Sequence, residues 1–158
     1  MELDKPACYI ANPNGFAEGT KYWYDHVLLP ALEPHVHILD PWSVDVSRIE
    51  EADETDQPEM WLDLGDHHYD TIRDHAQMLI AILDGEPPDN GTVCEVVWAA
   101  AHNVPVIGYR NDLRTCGEDG LPYNLMPASA VRRSPGIVVV SLEELLERLP
   151  GFIAKLPH

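Results

Sequence analysis

The sequence predicts an α/β protein built on a doubly wound, five-stranded parallel sheet. Short apolar runs of strand length alternate with longer segments of helical spacing, as in a parallel sheet that is covered by helices on both faces. No internal repeat interrupts this alternation, so we expect one domain over residues 1–158. Strands connected in this way most often take the order 2-1-3-4-5, the flavodoxin-like (Rossmann-like) arrangement. Its ligands bind between strands 1 and 3, at the carboxyl ends of the strands.

The first part of the chain predicts two strands joined by a helix. Residues 7–11 form a short apolar run that stops at a loop of turn-forming residues, Asn12-Pro13-Asn14-Gly15. Apolar side chains then follow helical spacing over residues 16–32, where Pro30 is expected to kink or end the helix. Residues 36–39 are the second predicted strand.

The middle of the chain supplies the central strand of the predicted sheet. Acid-rich residues 44–56 indicate an exposed helix and loop, and residues 58–75 indicate a longer helix. The unbroken apolar run 78–83 is typical of a strand that is buried on both faces. A turn rich in Pro, Asp, Asn and Gly follows, and then a helix that is expected to begin at Thr92.

The last part predicts two further strands and two helices. Residues 104–109 are the fourth strand and residues 136–140 the fifth. Between them lie a polar loop, residues 110–122, and a short helix, residues 123–131. The terminal helix opens on a capping box, Ser141-Leu-Glu-Glu144, and carries a single apolar stripe.

The charge balance excludes two classes of partner. The chain has 27 Asp and Glu residues against 10 Lys and Arg residues, a formal net charge of −17. Such a protein repels a nucleic acid polymer and an anionic membrane, so we expect neither as a partner. The acid excess fits solubility and high-salt adaptation equally well.

Cysteine usage and hydropathy favour a cytoplasmic protein. The three cysteines are odd in number and lack metal-site spacing, and no stretch has the length of a membrane-spanning helix or of a signal-peptide core. His67, His68 and His75 also lack the spacing of a metal site, so no metal is expected.

Three acidic residues are expected to converge where the central strand ends. Asp84 follows the strand directly, Asp89 lies in the turn, and Glu95 lies in the first turn of the next helix. Exposed N–H groups and the helix dipole there favour an ionised carboxylate, which is a usable nucleophile when it is held still. Two alternatives stay open: Asp89 as a plain turn former, and a capping box between Thr92 and Glu95.

The predicted topology places a second loop opposite these acids. Residues 12–16 follow strand 1, which neighbours strand 3 in the predicted order. Asn12, Gly15 and Phe16, with Gly91 across the crevice, are therefore candidate substrate-binding residues. Phe16 could stack on a planar ligand, although aromatic side chains more often fill a core.

Several common functions of this fold lack their residues here. A flavin site needs a Ser-, Thr- or Gly-rich phosphate loop after strand 1. A phospho-receiver domain needs an acidic pair there, a Ser or Thr after strand 4 and a Lys after strand 5, where this chain has Asn12, Arg110 and Ser141. Neither glycine fingerprint for nucleotide phosphates is present, and we expect no cofactor.

What remains is carboxylate chemistry on a sugar, in which paired carboxylates permit double displacement through a covalent glycosyl-enzyme. Four motifs, in consistent order between about residue 8 and residue 140, resemble those of nucleoside 2-deoxyribosyltransferases. They are Tyr9-Ile-Ala-Asn-Pro13, Leu83-Asp-Gly85 with Asp89-x-Gly-Thr-x-x-Glu95, Arg110-Asn-Asp-x-Arg114, and Asn124-Leu-Met126.

The resemblance implies a role for each side chain at the reacting sugar. Glu95 would attack C1′ of a 2′-deoxynucleoside and release the base, and an incoming base would then discharge the enzyme with net retention. Tyr9 would orient Glu95 by a hydrogen bond, and Asp89 would hold the 5′-hydroxyl. As an alternative, Tyr9 could simply fill the core. The chain also departs from the family after Glu95, where it has Val97 and the family usually has Gly, so the family's base preference does not carry over.

The resemblance also implies a shared site and a base-side acid. Asn124 and Met126 would reach the sugar site of a neighbouring subunit in a homo-oligomer, whether dimer, tetramer or hexamer; alternatively they are a helix cap and a packing residue. Asp70 is the nearest match to the family's acid beside the base. Asp84 lies in the strand-end motif as a candidate binding residue, or serves the hydrogen bonds of its own loop.

Three functions follow from these expectations. The first is exchange of the base of a 2′-deoxynucleoside with a free purine or pyrimidine base. The second is hydrolysis of 2′-deoxynucleoside 5′-monophosphates, which needs cationic or hydroxyl-rich phosphate contacts that the loops lack. The third is a non-catalytic module that binds a nucleotide derivative.

Overall fold

A computed structural model describes residues 5–157, and its sheet confirms the predicted topology. All neighbouring strands are parallel, and their order is β2-β1-β3-β4-β5. The strands are β1 (Ala7–Ala11), β2 (His37–Leu39), β3 (Met78–Ile82), β4 (Val106–Tyr109) and β5 (Ile137–Val139).

Helices cover both faces of this sheet. They are α1 (Glu18–Trp23), a π-helical turn (Tyr24–Leu28), α2 (Leu29–Leu32), α3 (Ser47–Glu50), α4 (Gln57–Asp74), α5 (Asn90–Ala101), α6 (Leu125–Arg133) and α7 (Leu142–Ile153). Short 3₁₀ turns, Asn14–Phe16 and Pro41–Ser43, follow β1 and β2. Within the described part of the chain, no helix is both long and apolar enough to cross a membrane.

Two helix starts differ from the sequence-based expectation. The predicted helix 16–32 begins only at Glu18 and contains a π turn just before Pro30, whose ring nitrogen has no hydrogen to donate. The central helix begins at Asn90 and not at Thr92, because the side chain of Asp89 caps it. Glu95 therefore lies in the second turn of α5, away from the free N–H groups.

The alternation of side chains along the strands decides which residues reach the site. Cys8 and Ile10 of β1 face the layer made by α2 and α7. Tyr9 and Ala11 face the opposite layer, which α4, α5 and α6 cover. Tyr9 is consequently buried beneath the start of α5, at the carboxyl edge of the sheet.

Candidate active site

A cavity of about 460 Å³ opens at the carboxyl ends of β1, β2 and β3, below α3, α4 and α5. One wall is apolar and aromatic, and the other is polar. Its lining residues are Asn12, Phe16, Pro41, Trp42, Val44, Val46, Glu50, Trp61, Leu64, His68, Asp89, Gly91, Thr92 and Glu95. A larger cavity of about 610 Å³ lies at the opposite edge of the sheet, near α7, and none of the sequence-predicted site residues lines it.

Glu95 is the most strongly perturbed carboxyl group of this cavity. Its Oε1 atom accepts a hydrogen bond of 2.6 Å from the Tyr9 hydroxyl, which joins α5 to β1. The pKa of Glu95 is raised to about 7, mainly by burial and to a smaller extent by the charge of Asp89, while the Tyr9 hydrogen bond opposes the rise. The expected stabilisation of an ionised Glu95 by a helix start is therefore wrong, because the side chain sits one turn further along and is desolvated.

Asp89 is the N-cap of α5 and also borders the cavity. Its Oδ2 atom accepts hydrogen bonds from the Thr92 backbone N–H at 2.8 Å and from the Thr92 hydroxyl at 3.1 Å. A capping box between Thr92 and Glu95 does not form, since Asp89 takes that role and Glu95 bonds Tyr9. Among the described residues, none donates a hydrogen bond to the second oxygen of Asp89, Oδ1. Gly91, which follows in the first turn, also borders the cavity.

The loop after β1 forms the floor and one wall of the cavity. The buried Asn12 amide donates to the Ile10 carbonyl at 2.8 Å, and its Oδ1 accepts from the Trp42 indole N–H at 3.2 Å. A Cβ atom on Gly15 would lie only 2.2 Å from the Trp42 ring, so a glycine is needed for this close approach. Phe16, which is 77% exposed, packs edge-on against Trp42 with ring centroids 4.7 Å apart. Asn12 and Gly15 thus position Trp42, while Phe16 extends the aromatic wall.

The face of α4 that borders the cavity was not predicted from the sequence. Trp61, Leu64 and His68 point into the cavity, at spacings that place them on one side of a helix. This spacing was the signal available, but the acidic and histidine residues around it made the helix look like an exposed surface. Glu50, at the end of α3, is exposed at the rim.

The comparisons with known proteins agree with this geometry. A family model described as nucleoside 2-deoxyribosyltransferase matches residues 8–126, well over half of the chain. The chain belongs to the nucleoside 2-deoxyribosyltransferase family. The family supports an enzyme that transfers or hydrolyses glycosyl groups. Curated protein sequences gave no match.

Two solved structures resemble this family member over most of its length. A conserved protein from Enterococcus faecalis V583 aligns with a TM-score of 0.64 at 20% identity, covering 94% of this chain and 99% of its own. A CMP N-glycosidase from Clostridium botulinum, BcmB, aligns with a TM-score of 0.56 at 18% identity, covering 91% of this chain and 98% of its own. At these identities the likeness supports the fold alone.

In this deoxyribosyltransferase-family chain, the structure does not bring Asp70 to the cavity. Its side chain is 58% exposed and forms an ion pair of 2.8 Å with Arg73 on the outer face of α4. Two positions along a helix correspond to a rotation of about 200°, so His68 faces inward while Asp70 faces water. The sequence-based assignment of Asp70 beside the base therefore finds no support in the geometry.

Asp84 serves its own loop, which was the alternative left open by the sequence. Its Oδ1 atom accepts hydrogen bonds from the backbone N–H groups of Asn111 at 2.6 Å and Asp112 at 2.8 Å. Asp84 thereby ties the end of β3 to the loop after β4, and it does not border the cavity. We assign it a structural role and not the predicted substrate-binding role.

Asn124 and Met126 lie at the start of α6, outside the cavity of their own chain. The Asn124 side chain caps α6 by accepting a hydrogen bond of 2.9 Å from the Met126 backbone N–H. The Met126 side chain is largely exposed. Val97, where the family usually has Gly, is also exposed and does not narrow the cavity.

Proposed function

We propose that this protein exchanges the base of a 2′-deoxynucleoside with a free purine or pyrimidine base. The observation that carries the proposal is the pairing of Tyr9 with Glu95 inside a cavity of substrate size. Family membership supports the same class of chemistry. No cofactor is needed, because the carboxylate itself is the nucleophile.

The proposed reaction has two displacement steps at C1′ of the sugar. In the first, an ionised Glu95 oxygen bonds to C1′ while the bond from C1′ to the base nitrogen breaks, and the electron pair leaves with the base. In the second, a ring nitrogen of the incoming base bonds to C1′ and the Glu95 carboxylate is released. Two inversions give net retention of configuration. Tyr9 keeps one Glu95 oxygen fixed, so the other is free to attack.

The polar wall of the cavity favours a nucleoside over a nucleotide. Of the described residues that line it, none is Lys or Arg, while Glu50, Asp89 and Glu95 are acids. A 5′-phosphate would be repelled by these carboxylates, whereas a 5′-hydroxyl can donate a hydrogen bond to Oδ1 of Asp89. We therefore propose that Asp89 holds the 5′-hydroxyl, with Asn12, Gly15, Phe16 and Gly91 shaping the pocket around the sugar and base.

Hydrolysis of a 2′-deoxynucleoside 5′-monophosphate is the second candidate. A structural neighbour with the same fold, from Clostridium botulinum, is a CMP N-glycosidase, which is why this activity is considered. The absence of Lys and Arg among the described lining residues opposes it, because charge-assisted contacts are the strongest contacts to phosphate. A non-catalytic module that binds a nucleotide derivative is a third candidate, and it requires no turnover at all.

A product analysis separates these candidates. Thymidine is incubated with free adenine, and deoxyadenosine with free hypoxanthine, each with and without the acceptor base, and the products are separated by chromatography. We expect new nucleosides only when an acceptor is present, and none with the Glu95→Gln variant. Free deoxyribose would indicate nucleoside hydrolysis, and sugar phosphate from a deoxynucleotide would indicate the second candidate. Tight binding by calorimetry without any product would contradict an enzymatic role.

We also propose that the sites are completed across subunits of a homo-oligomer. The exposed side chains of Asn124 and Met126, together with the exposed Leu125 between them, support this. Light scattering after gel filtration measures the assembly. Mixing inactive Glu95→Gln chains with inactive Met126→Asp chains tests the sharing, since a mixed assembly regains activity only if each chain supplies a different part of one site.

A further inference from the structure

Among the described residues of α4 that line the cavity, Trp61, Leu64 and His68, the ionisable one is His68. His68 of α4 is half-buried and borders the same cavity as Glu95 and Asp89. Its ring packs edge-on against Tyr9, with ring centroids 6.3 Å apart, and Tyr9 in turn bonds Glu95. His68 therefore packs against the residue that hydrogen-bonds the reacting carboxylate.

Departure of a nucleobase needs a proton as well as a nucleophile. When the bond from C1′ to the base nitrogen breaks, the base takes the electron pair and becomes a poor, anionic leaving group unless a ring nitrogen or oxygen is protonated. A positioned acid that supplies this proton typically accelerates such a step by about 10²- to 10⁴-fold. The incoming base, in turn, must lose a proton when its ring nitrogen bonds to C1′.

Among the described residues that line the cavity, the ionisable side chains are Glu50, His68, Asp89 and Glu95. Glu95 is required as the nucleophile, and Asp89 accepts two hydrogen bonds as the cap of α5. Glu50 lies exposed at the rim. His68 is the remaining group, and imidazole is the side chain best suited to exchange protons near neutral pH.

We propose that His68 donates the proton to the departing base and accepts one from the incoming base, an inference that rests on the proposed function. In the first step the imidazolium transfers its proton to the base as the C1′–N bond breaks, which leaves neutral imidazole and a neutral base. In the second step the imidazole takes the proton that the incoming base loses when its nitrogen bonds to C1′. The protons therefore balance over one cycle.

His68 also borders a second, smaller cavity of about 220 Å³. Tyr9, Asp40, His67 and Thr71 border it, and His68 lies between the two cavities. Bound substrate would fill the larger cavity, so the smaller one leaves a path by which His68 can equilibrate its proton with solvent.

The charges around His68 define the expected pH profile. The groups that face it are Tyr9 from β1, Asp40 after β2, Glu50 of α3, His67 of α4, and Asp89 and Glu95 of α5.

Burial, and to a smaller extent the charge of His67, lower the pKa of His68 below its usual 6.5. The active form then carries an imidazolium and an ionised Glu95, so kcat/KM follows a bell-shaped curve. Removing His68 leaves only the rising limb that ionisation of Glu95 produces.

The test compares two substrates that differ in their need for a proton. 2′-Deoxyguanosine needs protonation of its base, whereas 7-methyl-2′-deoxyguanosine already carries a positive charge and releases a neutral base. For His68→Asn we expect about a 10²- to 10⁴-fold loss of kcat/KM on the first substrate and less than about a 10-fold loss on the second. If purines are not accepted, 2′-deoxyuridine and 5-fluoro-2′-deoxyuridine form a corresponding pair.

The control variant is His75→Asn, an exposed histidine just after α4 that borders neither cavity. This variant should leave kcat/KM on both substrates and the bell-shaped pH profile unchanged. Should His68→Asn fail to fold, His68→Gln repeats the measurement, and free imidazole should restore activity to His68→Ala.

Equal losses on both substrates, or an alkaline limb that persists without His68, would overturn this inference. By contrast, a wild-type protein that releases no base from any deoxynucleoside would overturn the proposed function itself. The two failures are therefore distinguishable.

Discussion

Two groups of acidic residues stand at the same edge of the sheet, and they differ in what surrounds them. One group, at the cap and in the second turn of α5, consists of Asp89 and Glu95, and none of the described residues that line their cavity is Lys or Arg. The group at the ends of β3 and β4 consists of Asp84 and Asp112. There, Arg114 donates to both Asp112 oxygens, at 2.9 and 2.5 Å.

The pKa values record this difference. Hydrogen bonds from Arg114 lower the pKa of Asp112 below its usual 3.8, so this carboxylate stays ionised and paired. Burial raises the pKa of Glu95 to about 7, so this carboxylate is costly to ionise, and no Lys or Arg stands among the described residues of its cavity. The contacts of an acidic residue therefore indicate whether its role is chemical or structural, even where several acids cluster in the sequence. Perturbation by burial inside a cavity marks the candidate for chemistry.

The largest effect expected from this contrast is the loss of turnover in Glu95→Gln. The amide keeps the size of the side chain and can still accept the hydrogen bond from Tyr9, but it cannot form the ester with C1′. Loss of a nucleophile typically costs about 10⁴- to 10⁶-fold in kcat. The exchange assay measures the loss, and mass spectrometry of quenched wild-type protein should show a deoxyribosyl adduct on the peptide that contains Glu95.

Asp112→Asn is the matched variant in the other group. It should retain exchange activity, because Asp112 lies outside the cavity and its hydrogen bonds join it to Arg114, to the Gly85 backbone N–H and to Asp84. Full activity in Glu95→Gln, or abolished activity in Asp112→Asn, would reverse the assignment of the two groups.

A second prediction concerns the pH dependence of stability. Because the pKa of Glu95 is raised from 4.5 to about 7, the folded protein binds a proton more tightly than the unfolded chain. Stability should therefore fall as the pH rises from about 4.5 to about 7, by at most about 3 kcal/mol and by less if water in the cavity screens the charge. Denaturant unfolding at pH 5 and pH 8 measures the fall.

The control for this measurement is the difference between the wild type and Glu95→Gln, in which the other titrating groups cancel. For Asp112, which is paired with Arg114, the expected change of stability with pH has the opposite sign. Its lowered pKa contributes stability that is lost only as the pH falls below about 3.8. A Glu95→Gln variant with the same pH response as the wild type would show that burial does not perturb Glu95.

Tyr9→Phe should give the next largest effect. It removes the 2.6 Å hydrogen bond to Glu95 and keeps the ring that packs in the core. A hydrogen bond to a charged group contributes about 1.5 to 3 kcal/mol, so kcat should fall roughly 10- to 100-fold. Since this bond lowers the pKa of Glu95, the rising limb of the pH profile should move to higher pH. An unchanged limb would mean that Tyr9 only fills space.

The fold was predictable because its signals are local. The apolar run 78–83 and the turn residues after each strand fix the alternation, and one general rule then gives the strand order. The contact between Tyr9 and Glu95 joins residues far apart in sequence, and it entered the prediction only through the family resemblance.

The face that α4 turns toward the cavity and the first residue of α5 were harder to predict from the sequence. His67, His68, Tyr69 and Asp70 are consecutive, so any rotation of the helix presents a polar side chain to the cavity, and packing decides which one. The Asp89 cap starts α5 at Asn90 and not at Thr92, which places Glu95 away from the free N–H groups, and burial raises its pKa. The phase of α4 and the burial of Glu95 depend on tertiary packing that local patterns do not specify, whereas the Asp89 cap is a local signal.

The smallest expected effect comes from Asp84→Ala, and it tests whether the two groups are functionally separate. The variant loses the acceptor for the Asn111 and Asp112 backbone N–H groups, which should cost about 1 kcal/mol in the free energy of unfolding.

Asp89→Ala should cost a similar amount as a lost helix cap, but it should also raise KM for a deoxynucleoside because the 5′-hydroxyl loses its acceptor. Unfolding curves and KM values, measured on the same preparations, compare the two variants. A raised KM in Asp84→Ala would show that the loop it anchors also shapes the cavity. A KM unchanged in both variants would remove Asp89 from the sugar site and leave Glu95 as the only acid there with a chemical role.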